Sequence, residues 1–193
     1  MERFPEMGIR ALTPGLEAPV VSSLAKGGKR LKRMGLTHNF ICDVEVTAQN
    51  PKKRAAALWF LNRHRAGEFE LVVPFESFAN GPAPSGVQLA ADAGKGASQL
   101  LLSGFANDLA EAVCANDPLR LGNHTKVYRM GAASSNAQGQ VTVEIDPPLR
   151  VAVSAGELVT LDAVPFTVML DGLPEGDITK PYNPISFAVV EVV

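Results

Sequence analysis

The stretch Gly139-Gln-Val-Thr-Val-Glu-Ile-Asp-Pro-Pro-Leu-Arg150 constrains the fold more than any other part of this chain. Val141, Val143 and Ile145 fall on one side of an extended backbone and Thr142, Glu144 and Asp146 on the other, the two-residue period of a strand that buries one face. Pro147 and Pro148 end it, because neither has an N–H for a sheet ladder and each ring fixes its own φ. Around it lie Thr125–Met130, turn residues 134–139, Val151–Val153, the turn Ser154-Ala-Gly156 and Leu158–Leu161. Short strands at this spacing predict a compact antiparallel barrel or meander.

The rest of the chain follows from the same kind of pattern. Residues 1–25 hold Pro5, Pro14 and Pro19 with no sustained period, and read as an N-terminal arm with Phe4, Ile9, Leu12 and Leu16 to bury. From Leu36, His38, Phe40, Cys42, Val44 and Val46 alternate with polar residues, which predicts a long strand with one face in a core and His38 as a hydrogen-bonded core or rim histidine. Asn50-Pro51 is a helix start, an N-cap followed by proline at the first helical position, and Gly67 is placed to end that helix. A helix over 50–66 is expected to bury Ala55, Leu58 and Leu61, with Trp59 partly buried. Glu68–Pro74 then returns as a strand with Phe69, Leu71 and Val73 inward.

Residues 76–98 are rich in Ala, Gly, Ser and Pro and mark a boundary. The expected organisation is an arm at 1–25, a β domain from 26–85 plus 163–193, and a small β-barrel inserted at 86–162. Pro165–Leu170 and the apolar run Ile185–Val193 would complete the sheet of the first domain. The fold class is mainly β, α+β with one main helix. Fourteen prolines and seventeen glycines suit such a turn-rich architecture. Cys42 and Cys114 sit far apart inside apolar patterns and are expected to be reduced and buried. No apolar run reaches the roughly 20 residues of a membrane helix. The opening Met1-Glu-Arg-Phe-Pro-Glu6 has neither the basic nor the apolar part of a leader, so synthesis and residence in a cytoplasm are expected.

The net charge of −2 conceals a split. Residues 26–65 carry ten Lys/Arg against Asp43 and Glu45, a net of +8, whereas residues 66–193 carry six against fifteen acids, a net of −9. Opposite halves point either to nucleic acid on the basic half or to self-association of basic on acidic surface. The candidate contact residues are Lys26, Lys29, Arg30, Lys32 and Arg33 around a Gly-Gly turn, with Lys52, Lys53 and Arg54 at the helix start. The last three oppose the helix dipole, which argues for an external partner. Gly28-Lys29 is not a phosphate loop, because Ser23 stands where its first glycine should be and Arg30 where Ser/Thr would hold magnesium.

Catalytic chemistry finds little support. Glu68/Glu70 and Glu144/Asp146 are carboxylate pairs, but each lies at i, i+2 on the wet face of a strand with no accompanying nucleophile, histidine or pocket. No cofactor or metal motif is present, and no enzymatic activity is expected.

The order of these segments carries a resemblance. Val-x-x-x-Asn50, Ala-x-x-Trp-Phe-Leu61, Arg-x-Gly-Glu-Phe-Glu-Leu71 and Pro74 are followed by Ala97-Ser-Gln-Leu-Leu-Leu-Ser-Gly104, Val127-Tyr128, the stretch 139–150, Gly156-Glu-Leu-Val159 and Phe166-Thr-Val-Met-Leu170. Over residues 20–170 this resembles the distal tail proteins of bacteriophage tail tips. The resemblance implies a tail-tube-like antiparallel β-sandwich with one helix, interrupted by a small β-barrel. It also implies a non-enzymatic virion protein, made in the host cytoplasm, that forms a homo-oligomeric, hexameric ring joining tail tube protein to baseplate hub proteins. Membrane and nucleic acid are not expected partners under this reading. The alternative is a nucleic-acid-binding β-barrel protein using the basic 26–65 region. That alternative lacks aromatic residues interleaved with the basic ones as a stacking platform.

Overall fold

The structure is a computed structural model that describes residues 1–5, 8–17, 20–24, 30–34, 39–47, 50–73, 83–122, 124–174 and 184–192. In chain order the elements are β1 (Gly8–Glu17), β2 (Val20–Leu24), β3 (Arg30–Met34), β4 (Asn39–Thr47), α1 (Pro51–Arg63), β5 (Phe69–Val72), β6 (Gln88–Leu89), β7 (Gln99–Ser103), β8 (Pro118–Leu121), β9 (Val127–Met130), β10 (Gln140–Asp146), β11 (Val159–Thr160), β12 (Pro165–Leu170) and β13 (Ile185–Glu191). The protein is mainly β with one helix. It divides into two compact units, Met1–Glu70 with Thr167–Val193, and Leu71–Phe166.

The first unit is built on a five-stranded sheet in the order β1-β4-β13-β12-β5. β4 is central because its alternation leaves Phe40, Cys42, Val44 and Val46 almost fully buried. β1 pairs with it on one side and β13 on the other, both antiparallel. The N-terminal stretch is therefore no loose arm. Gly8–Glu17 is a ten-residue edge strand, and its Pro14, opposite Cys42, is tolerated because an edge position need not donate to a second neighbour. Residues 2–4 lie along β5 instead: Phe4 N–H donates to the Glu70 carbonyl at 2.8 Å, and Glu70 N–H to the Glu2 carbonyl at 2.9 Å. His38 lies outside the described residues.

The helix begins as the sequence demands, with the Asn50 side chain accepting from Lys52 N–H at 2.9 Å and Pro51 in the first turn. His64 caps its end, N–H donating to the Phe60 carbonyl at 3.0 Å. Its inward face differs from expectation. Arg54, Ala57, Phe60 and Leu61 are buried, Leu58 is half-buried, and Ala55 and Trp59 are exposed. Ala55 through Leu61 is apolar all round, so periodicity could not choose a face. An aromatic cluster chose it: Phe60 meets Phe4 at 5.6 Å and Phe69 at 5.4 Å, both edge-on, and Phe4 meets Phe187 at 5.4 Å.

The second unit is a barrel. Its sheet runs β11-β8-β9-β10-β7-β6, and an antiparallel bridge from Gln88 to Leu158 brings the last strand back to the first. The Leu89 N–H to Glu157 carbonyl (2.9 Å) and Val159 N–H to Val87 carbonyl (2.9 Å) bonds seal that seam. Inside lie Leu100, Leu102, Leu119, Leu121, Tyr128, Val141 and Val143, all at most 2% exposed. β10 alternates as expected, with Val141, Val143 and Ile145 in and Thr142, Glu144 and Asp146 out. Gly139 enters β10 at φ 66, where a Cβ would run into the Phe105 carbonyl oxygen. Val151–Val153 is not a strand: Val153 alone bridges, to Ala93. Neither cysteine is in a disulfide; Cys42 is buried and Cys114 only half-buried.

Candidate subunit interface

The basic residues expected to meet a partner fall into two places. Lys26 and Lys29 lie outside the described residues. Arg30, Lys32 and Arg33 belong to β3, in register with Leu24, Ser22 and Val21 of β2 respectively. β2 and β3 form a two-stranded ladder separate from the five-stranded sheet. A two-stranded ribbon is marginally stable in water by itself, and gains most from a surface laid against it.

The second place is the outer face of α1. Lys52, Lys53, Ala55, Ala56, Trp59, Asn62 and Arg63 are all exposed. Arg54 differs from its neighbours: at 6% exposure it is buried and already has an interaction of its own. Trp59 is 60% exposed, and the Arg63 guanidinium lies over its ring at 5.1 Å. Arg63 also reaches Glu2 at 3.4 Å, as does His64. The helix carries no acidic residue at all. Sequence reading missed Trp59 as a surface group, although its i+7 spacing from Lys52 and i−4 spacing from Arg63 would have placed all three on one face.

The second unit has the opposite surface. Among its described residues Asp92, Asp108, Glu111, Glu144, Asp146 and Asp162 are exposed, and Lys95 is the one exposed cation. The other described cations are half-buried or buried. Arg120 donates through Nε to the His124 carbonyl (2.9 Å) and through Nη1 to the Pro165 carbonyl (2.7 Å). Arg129 stacks over Phe166 at 5.8 Å, and Lys126 is 3% exposed. His124 is buried with Nδ1 3.1 Å from the Tyr128 hydroxyl, which accepts from Arg150 N–H at 3.3 Å. Burial holds the His124 pKa below the ordinary histidine value, and Glu157 opposes this with its charge.

Glu68 is exposed, and Glu70 is tied to Arg3 at 3.6 Å. Glu144 and Asp146 are exposed on β10, with Asp146 in register with Arg129 of β9. Among the described residues no three His, Cys, Asp or Glu side chains are grouped to hold a metal ion, and no helix is long and apolar enough to cross a membrane. What the arrangement offers is a cationic helix face, a basic ribbon and an acidic barrel wall. No protein-family model matches the chain, and a search of curated proteins returned no match.

Proposed function

We propose that this chain is a structural protein of a phage tail tip, one that assembles into a ring at the distal end of the tail and joins tube to baseplate. The observation that carries the reading is the chain order. A β unit with a single helix is entered at β1, left after β5 and re-entered at β12, and the excursion between is a six-stranded barrel. The resemblance implies that order, and its two most telling segments fall on defined elements, Gly-Glu-Phe-Glu-Leu71 at β5 and Gly139–Arg150 at β10. The charge split adds a reason for self-association. Each copy carries cations on one surface and carboxylates on another, so contacts between unlike surfaces repeat and can close into a ring.

Native mass measurement and negative-stain imaging of purified protein test this. A discrete ring supports the reading; a monomer at every accessible concentration rejects it. The +8 region favours one other reading, binding of nucleic acid through counterion release. Tight, salt-sensitive binding of random DNA, lost when Lys29, Arg30, Lys32 and Arg33 are reversed in charge, would replace the first reading with the second.

A further inference from the structure

We infer that in the assembled protein residues 1–5 seat on β5 of a second copy of this chain, in place of that copy's own segment, so that neighbours are joined by an exchanged strand. The inference rests on the self-association in the assembly reading and gives it a contact. Phe4 N–H donates to the Glu70 carbonyl at 2.8 Å and Glu70 N–H to the Glu2 carbonyl at 2.9 Å, which lays residues 2–4 as a parallel strand along β5, the last strand of its sheet. The Phe4 ring packs 5.6 Å from Phe60 and 5.4 Å from Phe187. Arg3 reaches Glu70 at 3.6 Å, and Glu2 reaches Arg63 and His64 at 3.4 Å. Backbone bonds to a sheet edge with one side chain in a pocket are how an extended segment from a separate chain is recognised. The same five residues of another copy bring the same donors, ring and charges, so the seat itself specifies its occupant.

The length of the link favours the exchange. Phe4 is bonded to β5 at one end of the β1-β4-β13-β12-β5 order, and Gly8 opens β1 at the other end, in register with Thr47. Five strands side by side place the first and last about 19 Å apart in a flat sheet, at about 4.8 Å for each spacing. The chain from Phe4 to Gly8 is four Cα steps and covers at most about 14 Å. Seating within one copy therefore needs a sheet curled until its two edges approach. When a second copy stands with its β5 beside β1, the same link crosses directly and neither sheet has to curl. Short hinge segments are where elements pass between copies, and Pro5 lies in this one. The exchanged seat keeps the contacts of the closed one, so the link and the protein concentration set the balance between them. Handed from each copy to the next, the contact is heterologous and can close on itself.

Cysteines placed in the seat report whose segment fills it. Arg3 and Glu70 are bridge partners in a parallel pair, where a Cα separation of about 4.8 Å suits a disulfide. Arg3→Cys and Glu70→Cys, each combined with Cys114→Ser, are co-expressed with different tags, and the purified assembly is oxidised. Exchange should give a covalent dimer that carries both tags and yields a linked peptide containing positions 3 and 70. The double variant, Arg3→Cys with Glu70→Cys, should run as covalent oligomers on a denaturing gel without reductant. A double variant linked only within single chains, with no dimer between the tagged chains, would overturn the exchange. Should the change at Glu70 prevent folding, Glu2→Cys and Arg63→Cys put the same question through a short bismaleimide with the same two outcomes, because both side chains are at least 50% exposed. Rings whose links stay within single chains would reject the exchange and leave the ring reading standing. Links between tagged chains in particles that are not rings would keep the exchange and reject the ring. A wild type that never associates would overturn both.

Discussion

The carboxylate of Glu191 accepts a hydrogen bond from the backbone N–H of Phe40 at 3.0 Å, across 151 positions of sequence. Glu191 is 3% exposed, a charge-bearing group placed inside the first unit at the end of β13. It supplies an acceptor to a backbone N–H at the end of β4. Glu191→Ala should cost about 1–3 kcal/mol in denaturant unfolding, because a buried hydrogen bond to its carboxylate is lost. Glu191→Gln, which keeps an acceptor, should cost less. Equal effects from the two would mean that the hydrogen bond is not what holds Glu191.

The buried face of α1 predicts a graded series. Leu61→Ala should destabilise by about 2–5 kcal/mol and Phe60→Ala by about 3–5 kcal/mol, since both side chains are buried. Leu58→Ala, at a half-buried position, should cost clearly less, and Trp59→Ala, at an exposed one, should leave the unfolding midpoint nearly unchanged. Chemical denaturation of all four variants checks the ranking.

That ranking could not have been read from the sequence, and the reason is physical. Where polar and apolar residues alternate strictly, as in β4 and β10, the pattern admits one orientation, and β4 buries Phe40, Cys42, Val44 and Val46 as β10 buries Val141, Val143 and Ile145. In α1 the run Ala55–Leu61 is apolar on every side, so the choice of face was left to Phe4, Phe69 and Phe187, contacts no local window contains. Pro14 concealed β1 in the same way, because only its edge position makes a proline acceptable there. The candidate interface was half legible. The cations stood out in the sequence, but the inward turn of Arg54 and the outward turn of Trp59 depend on which face the aromatic cluster selected.

Gly139 should resist substitution. Its φ of 66 would cost an L-residue about 1–2 kcal/mol, and the clash of a Cβ with the Phe105 carbonyl adds about 1–3 kcal/mol. Gly139→Ala should therefore lower the unfolding midpoint of the barrel. Gly156→Ala, also at positive φ but with open space around the new Cβ, should show the conformational part alone. Thermal melts of the two variants separate the contributions.

The barrel should weaken in mild acid. His124 has its pKa lowered first by burial, with Glu157 acting in the opposite sense, so the folded state holds the ring neutral where the unfolded chain would protonate it. The stability this contributes is complete above the unfolded value near 6.5 and is lost as pH falls from there through the lowered folded value. Unfolding midpoints measured from pH 7.5 down to pH 5 should fall (range chosen around the roughly 6.5 of free histidine), and His124→Asn should flatten the slope. An unchanged slope in that variant would move the pH dependence to other groups.

Truncation after Pro165 should abolish the first unit, because β13 and β12 occupy the middle of the β1-β4-β13-β12-β5 order and β4 loses one of its two neighbours. Limited proteolysis of the 1–165 fragment should cleave early within residues 39–72 and leave the barrel resistant. Protection of both regions would mean that the N-terminal strands form a stable structure without the returning ones.

The strand order has a further consequence for the nascent chain. All six barrel strands are made within residues 88–160, so the barrel can close on the ribosome soon after Thr160 emerges. β4 must wait for β13, and at about 5–20 residues per second the ribosome needs roughly 7 to 28 seconds to travel from Thr47 to Ile185. Throughout that interval the apolar face carrying Phe40, Val44 and Val46 and the unpaired edge of β4 are open to wrong partners, including the same strand on a neighbouring polysome. The vulnerable species in the life of this protein is thus a half-made one, with a finished barrel tethered to an uncovered ribbon, and mutations that speed barrel closure would do nothing to shorten its exposure.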